Sequence, residues 1–266
     1  MTMPSTLRVG TSRGRIEILQ TLRSREAVIF TFAFPALLTV LLGTIFDTPV
    51  TPGADTTHSQ VLAAGMIAYG ILSTAFISVG VGIAIDREDG TLLRLRGTPA
   101  TAGAYFLGKI ALVFFATLFE VALLLAVAVA LFDLPLPGDP GRWFTFGWLV
   151  VLSVIACTLL GIAASTLAPS ARSAGAVLNV PVIVLQFTSG IFVHIAALPS
   201  AMVNVSALFP VKWMGQGFRS VFLPDALAAE EVAGAWEPGR TALVLGAWCV
   251  IGLALSLLTF RWTDRR

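Results

Sequence analysis

The chain has 266 residues, of which 56% are hydrophobic and only 12% are charged, and its mean hydropathy is +0.88. Soluble domains are about 45–50% apolar and about 25% charged, so a soluble protein could not cover its surface with so few charges. The 17 Lys and Arg residues nearly balance the 15 Asp and Glu residues, which excludes a nucleic-acid binder with a broad cationic surface. The composition predicts a protein embedded in a lipid bilayer.

The positions of the cysteines and the lengths of the polar stretches indicate what kind of membrane protein this is. Cys157 and Cys249 both lie inside apolar runs, so we expect small core residues rather than disulfides or metal ligands. Outside the apolar runs, no stretch is long enough to fold a separate catalytic domain. We therefore expect a single membrane domain over residues 1–266. It divides into a cytoplasmic or interfacial segment, a bundle of spans and a cytoplasmic tail: residues 1–26, 27–260 and 261–266.

Six segments are apolar over the roughly 20 residues that a helix needs to cross a bilayer, and none alternates like a barrel strand. The predicted fold is all-α integral membrane with six transmembrane helices: 27–46, 61–85, 104–132, 143–167, 174–192 and 241–260. Between the fifth and sixth spans, the apolar stretch 195–209 is too short to cross easily. We expect a re-entrant or interfacial segment there.

Positive charges set the expected orientation, because cytoplasmic connections are enriched in Lys and Arg. All but four of the 17 Lys and Arg residues fall on the side of the two termini and the connection between spans two and three. The four exceptions are Arg142, Lys212, Arg219 and Arg240. Both termini are therefore predicted to be cytoplasmic.

The N-terminal segment is predicted to hold an interfacial helix. Ile16, Leu19 and Leu22 form one apolar stripe that arginines such as Arg15 flank, which is typical of a helix lying on a membrane surface. The alternative is a disordered basic tail.

The connection between spans two and three has the charge pattern of a short helix. Acidic residues at 86–89 stand at its predicted start and Arg94 and Arg96 near its end, which suits the helix dipole. Thr98 and Pro99 are expected to stop the helix and turn the chain back.

The same helix has a small apolar face, because Leu92 and Leu95 are three residues apart. So short a connection could not cover this face, which favours docking to a cytoplasmic partner. Alternatively, the leucines enter the lipid interface and the charges only follow the orientation rule.

This connection resembles the cytoplasmic coupling segment of type-2 permease subunits of ATP-binding-cassette exporters, in particular daunorubicin-resistance-like efflux permeases. The family pattern runs acid-Arg-Glu-x-Gly-Thr, then a leucine-containing turn, Ser/Thr-Pro, and Gly-Lys at the third span. The residues that match it are Asp86, Arg87, Glu88, Gly90, Thr91, Leu95, Thr98, Pro99, Gly108 and Lys109.

A second resemblance lies between spans five and six. Phe192 ends a Gly-x-Phe element, Pro199 ends a Leu-Pro element, and Pro210 ends a Phe-Pro element, all three similar to elements of the same family. His194 departs from the family, which often has proline there, so the re-entrant segment is expected to bend differently at its start.

The resemblance implies a permease subunit of a plasma (bacterial inner) membrane exporter that moves an amphipathic drug or lipid-like substrate outward. It implies two cytoplasmic P-loop ATPase subunits, which bind ATP and Mg, and a second permease subunit that is identical or related. The chain itself would be no enzyme and would bind no cofactor or metal. The implied ATPase-docking residues are Asp86, Arg87, Glu88, Gly90, Thr91, Leu92, Arg94, Leu95, Thr98 and Pro99, with Arg15 as a weaker candidate.

Other functions fit the sequence less well. Residues 103–109 read Gly-x4-Gly-Lys, but Ile110 replaces the hydroxyl residue that a phosphate-binding loop needs, so nucleotide binding is rejected. Asp86, Asp89 and Gly90 resemble the start of the CDP-alcohol phosphotransferase motif, yet Leu107 and Ala111 stand where two further metal-binding aspartates belong. That enzyme remains the alternative of a different class, and export of a lipid-linked polysaccharide is the alternative within the same architecture.

Three polar residues inside spans are candidates for a substrate path. Glu120 lies near the centre of the third span, where an ionisable group is expensive and often functional. Asn179 and Gln186 are seven residues apart and share one face of the fifth span. All three could instead be polar contacts between helices.

Overall fold

The computed structural model describes residues 14–16, 18–19, 23–24, 28–51, 55–96 and 102–259, with the main chain alone at residues 30, 95–96 and 102–107. Within these residues the secondary structure is helical apart from one isolated bridge between Pro49 and Thr57. The α-helices are α1 (Phe34–Ile45), α2 (His58–Ile71), α3 (Val79–Glu88), α4 (Thr91–Arg96), α5 (Ala102–Phe132), α6 (Pro140–Ala164), α7 (Ala171–Thr188), α8 (Ser200–Ser206), α9 (Pro210–Phe222) and α10 (Pro238–Thr259).

In the described part of the chain, five helices are long and apolar enough to cross a membrane: His58–Glu88, Gly108–Phe132, Pro140–Leu167, Ala171–Thr188 and Pro238–Thr259. They correspond to the second to sixth predicted spans. The first predicted span contains a π-helical turn (Ile29–Ala33) followed by α1, and its apolar helical part Thr31–Ile45 is shorter. Ala27 lies outside the described residues, so the count of six spans stays a prediction.

The longest of these helices forms the centre of the bundle. It consists of α2, a π-helical stretch (Leu72–Ser78) and α3, and 72% of its most apolar window is buried, against 22% for the windows in α7 and α10. Its core face is rich in small residues such as Ala64, Gly65 and Ala68, which let neighbouring helices approach closely. The remaining helices therefore pack around this central helix, and α7 and α10 lie at the periphery.

One close approach fixes the central helix against α6. A β-carbon added to Gly161 would lie 2.6 Å from the carbonyl oxygen of Phe76 and 3.2 Å from that of Ala75, both in the π-helical stretch. Four residues after Phe76, a β-carbon at Gly80 would lie 2.6 Å from the Leu178 side chain of α7. Glycine at both positions lets α6 approach the central helix nearly backbone to backbone and lets the Leu178 side chain of α7 pack directly against α3.

The two ends of the bundle differ in construction. We call the end with residues 86–96 the coupling end, and the end with residues 189–237 the far end. At the far end, α7 stops before Gly190, whose φ of +78° is a left-handed conformation that ends helices. A 3₁₀ turn (Ile195–Ala197), α8, α9 and a second 3₁₀ helix (Asp225–Glu230) follow.

The most deeply buried part of the far end lies after the predicted re-entrant stretch of 195–209. That stretch contains a 3₁₀ turn and the short α8. Met202 and Val205 of α8 are exposed, as is Leu208 just after it. By contrast, nearly every residue of α9 is buried, and α9 begins at Pro210, a favoured first residue of a helix. The re-entrant path itself stays a prediction.

The N-terminal interfacial helix is described only in fragments. Residues 14–16 and 18–19 are helical, and Gly14 is buried beside Gly108 and Ala111 of α5. Arg15 is exposed on this fragment. Leu22 and the tail at 261–266 lie outside the described residues, so these predictions stay untested.

Candidate functional site

The predicted start of the coupling helix is wrong by several residues. Asp86, Arg87 and Glu88 belong to the end of α3, and α4 begins only at Thr91, because Gly90 adopts a φ of +76° and breaks the helix between them. Only Asp89 acts at the start of α4, where its Oδ1 accepts a hydrogen bond of 3.0 Å from the Thr91 N–H. Hydrogen bonds from Thr91 lower the pKa of the Asp89 carboxyl, so it stays ionised at this helix start.

An ion pair closes the base of this connection. Lys109 Nζ lies 2.8 Å from Asp86 Oδ2, and both side chains are largely buried. The pair joins the end of α3 to the early part of α5. Two residues of the family-like pattern therefore hold together the two helices that the connection links.

The next two residues of the pattern, Arg87 and Glu88, bind the connection between α6 and α7. Arg87 Nη2 donates to the carbonyl oxygens of Ser165 and Ala168, each at 3.1 Å. Glu88 Oε2 accepts a hydrogen bond from the backbone N–H of Ala171, the first residue of α7. Adjacent side chains at the end of α3 thus bind both ends of the α6–α7 turn (residues 165–171).

The outer surface of α4 is not the predicted one. Leu92 is 0% exposed, whereas Leu93 is 52% exposed, so the prediction of an exposed face with Leu92 is wrong. Neighbouring residues of a helix point about 100° apart, so burying one turns the other outward. Arg94 is also exposed and its Nη2 donates to the Asp89 carbonyl at 3.0 Å. The Leu95 side chain, Thr98 and Pro99 lie outside the described residues.

Glu120 lies at the contact between the second and third spans. It is 0% exposed, and a β-carbon at Gly70 would lie 2.9 Å from its Cγ. Both of its carboxyl oxygens, and the hydroxyls of Thr74 and Thr117, lack hydrogen-bond partners in the described part of the chain. Glycine at position 70 provides the space for this carboxyl.

The other two path candidates lie on α7 and differ from each other. Asn179 is half-buried, and its Nδ2 donates to the Gly175 carbonyl of its own helix at 2.8 Å. Gln186 is buried, and its Nε2 has no partner among the described residues. The three candidates therefore lie on two helices, Glu120 on α5 and the other two on α7.

The residues of the second family-like pattern lie at ring contacts and helix starts of the far end. Phe192 packs against Tyr69 and Phe187, with ring centroids 5.7 and 5.2 Å apart. The His194 ring meets that of His58 edge to face at 5.7 Å. Pro199 precedes α8 and Pro210 opens α9.

Sequence reasoning missed a buried ion pair at the far end. Arg219 of α9 lies 2.6 Å from Glu231 Oε1, their side chains are 4% and 3% exposed, and Arg219 Nη1 also donates to the Gly190 carbonyl at 2.9 Å. Lys212, two turns earlier on the same face of α9, donates to Gln216, and burial lowers the pKa of Lys212. Charged residues within a largely apolar stretch were the available signal, although only their sign was used.

A shallow pocket borders this ion pair and is lined by His194, Ile195, Arg219, Glu230 and Trp236 among others. Desolvation lowers the pKa of His194, and the nearby charge of Arg219 adds to this effect. Neutral imidazole is therefore the form that the folded state favours.

Acid is expected to destabilise this region. When the folded pKa of a histidine is below its usual value near 6.5, the unfolded chain binds more protons, so stability falls as the pH drops below about 6.5. The melting temperature of the purified protein in detergent should fall between about pH 7 and pH 5, and His194→Gln should reduce that fall. Asn204→Gln, at an exposed position of α8, should keep the wild-type slope. Equal slopes in all three proteins would contradict the prediction.

Within the described ranges, no group of three or more His, Cys, Asp or Glu side chains is placed to hold a metal ion. The motif residues of the phosphotransferase alternative, Asp86 and Asp89, are engaged with Lys109 and Thr91.

Comparison with known protein families identifies a match over most of the chain. The family model described as ABC-2 type transporter matches residues 14–223, which run from the N-terminal helical fragment through α9 and include the whole coupling end. No curated protein matches the chain.

Proposed function

Because the chain belongs to the ABC-2 type transporter family, we propose that it is the membrane-spanning permease subunit of an exporter energised by separate ATPase subunits. In this proposal, two cytoplasmic P-loop ATPases bind ATP and Mg, and two permease subunits, identical or related, form the pathway. Six spans with both termini in the cytoplasm complete the arrangement. The distribution of Lys and Arg supports this orientation.

The observation that carries the proposal is the construction of the coupling end. The Asp86–Lys109 ion pair joins α3 to α5 at the base of the connection. The short helix α4 between them starts at the Asp89 cap and has Leu93 and Arg94 on its exposed side. A capped helix with an exposed leucine and arginine is a suitable contact for a partner protein, since arginine is enriched among interface anchors and the leucine adds apolar area that a partner can bury.

The proposed mechanism is mechanical. Binding of ATP closes the ATPase pair, the contact with α4 transmits the displacement, and the spans reorient to release substrate outward. Such coupling requires that α4 contacts the two states of the ATPase differently, because a partner shifts an equilibrium only by its differential affinity.

For the substrate, we propose an amphipathic drug or lipid-like molecule, as in daunorubicin-resistance-like permeases. The apolar outer face of α7, with Val180, Ile183 and Val184, supports a substrate that reaches the pathway from the bilayer. Glu120, buried in the bundle, is the candidate contact for a cationic group.

Co-purification tests the proposal. When the chain is isolated in mild detergent from its native membrane, a P-loop ATPase should co-elute and be identified by mass spectrometry. The double variant Leu93→Asp with Arg94→Glu should lose that ATPase by about thirtyfold or more, because an interface anchor contributes about 2 kcal/mol or more. Leu92→Asp is unsuitable, since it would bury a carboxylate.

The matched control is Leu208→Asp, an exposed leucine at the far end. This variant should retain the ATPase at the wild-type ratio. Wild-type protein that never co-elutes with an ATPase would refute the proposed function, and an ATPase retained by the double variant would refute docking through α4.

A further inference from the structure

Arg87 and Glu88, two residues of the coupling pattern, contact the protein's own backbone at the α6–α7 turn. We propose that they are positioning residues that tie the coupling segment to α7, so that a displacement of α4 is delivered to the fifth predicted span. This inference rests on the proposed function, because it assumes that an ATPase displaces α4.

The tie uses the polar groups that helix ends leave open. The last carbonyls of a helix and the first N–H groups of the next have no partners within their own helix. Arg87 donates to Ser165 O and Ala168 O in the turn that follows α6, and Glu88 accepts from Ala171 N at the start of α7. A carboxylate also suits the positive end of the α7 dipole. Two adjacent residues of α3 thus hold both sides of one short turn.

Apolar packing behind these bonds makes the contact continuous. Ala84 of α3, Ala168 of the turn and Ala174 of α7 form a small buried cluster, against which Val81 packs. Further along, Leu178 of α7 fits against Gly80, where a larger residue would clash. Interdigitated small side chains transmit displacement because packed interiors have low compressibility.

The displacement is expected to pass from α3 to α7 because of the residues that adjoin or belong to each helix. α3 continues through Gly90 into α4, the proposed ATPase contact, whereas α7 carries Asn179 and Gln186, two candidates for the substrate path. Because the partners of Arg87 and Glu88 are backbone groups, the tie moves the helix end itself rather than one side chain. Loss of the tie should therefore separate the motion of α3 from that of α7.

The experiment measures the distance between spin labels at Ile85 on α3 and Ile183 on α7, two exposed positions outside the docking face and the tie. The permease is used as the full complex with its ATPase in lipid nanodiscs, without nucleotide and with ATP plus vanadate. ATP hydrolysis is recorded for every complex. The variants are Arg87→Ala, Glu88→Ala and Glu88→Gln. The control is Arg172→Ala, since Arg172 is an exposed cation one residue beyond the same turn.

In the wild type, ATP should leave the label distance unchanged, because α3 and α7 move together. In Arg87→Ala and Glu88→Ala, ATP should change it by about 2 Å or more, the size of helix shifts that relay conformational change. Glu88→Gln keeps an acceptor oxygen for Ala171 N and should retain the wild-type distance, as should Arg172→Ala. If Arg87→Ala fails to fold, the comparison of Glu88→Ala with Glu88→Gln is sufficient to test the tie.

Wild-type distances in both alanine variants, or an equal change in Arg172→Ala, would overturn the tie. Failure of the proposed function gives a different result, namely a wild-type preparation that binds no ATPase. Even then, a nucleotide-free distance distribution broadened in Glu88→Ala but not in Glu88→Gln would support the tie, and unbroadened distributions would refute it.

Discussion

Arg219→Ala is expected to lower the free energy of unfolding by about 3–5 kcal/mol, because it leaves the Glu231 carboxylate buried without its counter-charge. The Glu231 side chain is 3% exposed, and both Nε and Nη2 of Arg219 contact its Oε1, at 2.7 and 2.6 Å. The substitution also removes the donor to the Gly190 carbonyl. Unfolding of the purified protein by denaturant in mixed micelles would measure this loss.

Two further variants test whether the lost stability of Arg219→Ala comes from the unpaired Glu231 carboxylate. Arg240→Ala breaks an exposed pair with Glu237 three residues away, so it should cost only about 0–1 kcal/mol. Arg219→Met combined with Glu231→Leu removes both charges and should recover most of the loss, since apolar replacement of a buried pair is often neutral. An Arg219→Ala protein as stable as Arg240→Ala would show that water or another cation neutralises Glu231.

Gly161→Ala should destabilise the bundle by about 1–3 kcal/mol, the usual cost of forcing extra atoms into a close-packed core. The added methyl group would lie 2.6 Å from the Phe76 carbonyl oxygen and 3.1 Å from its Cα, and a backbone cannot move aside as a flexible side chain can. The melting temperature in detergent should fall accordingly. Gly161 and Phe76 lie where α6 crosses the π-helical stretch, so the central helix must shift to relieve the clash.

The control substitution is Gly147→Ala in the same helix. A β-carbon at Gly147 meets no atom within 4 Å, and alanine favours the helix by about 1 kcal/mol, so this variant should be as stable as the wild type or more stable. If both alanine variants melted alike, the close approach of α6 to the π-helical stretch would be wrong.

The helical spans could be predicted from sequence because membrane helices need only length and continuous apolarity, which a single segment displays. The predicted fifth span, 174–192, ran past Thr188 because apolar residues continue beyond the helix. Gly190 ends it through a backbone angle that hydropathy does not register. In the same way, Gly90 shifted the start of the coupling helix from residue 86 to Thr91.

The candidate site was harder to predict because its contacts are distant in sequence. The composition of the connection marked Arg87 and Glu88 as important, but their partners lie about 80 residues away, beyond the reach of local spacing. Leu92 was expected to be exposed because the connection is short, yet burial depends on the whole fold. Arg219 was counted as one cation on its side of the membrane, although Glu231 neutralises it.

The far-end ion pairs bear on how the transporter responds to membrane voltage. Arg142, Arg219 and Arg240 lie beside Asp225, Glu231 and Glu237, respectively, so each pair has zero net charge. The membrane potential does about 2.3 kcal/mol of work per 100 mV on an elementary charge that crosses the full field, but none on a neutral pair that moves as a unit. Displacement of these three pairs is electrically silent, so membrane voltage neither drives nor opposes their movement.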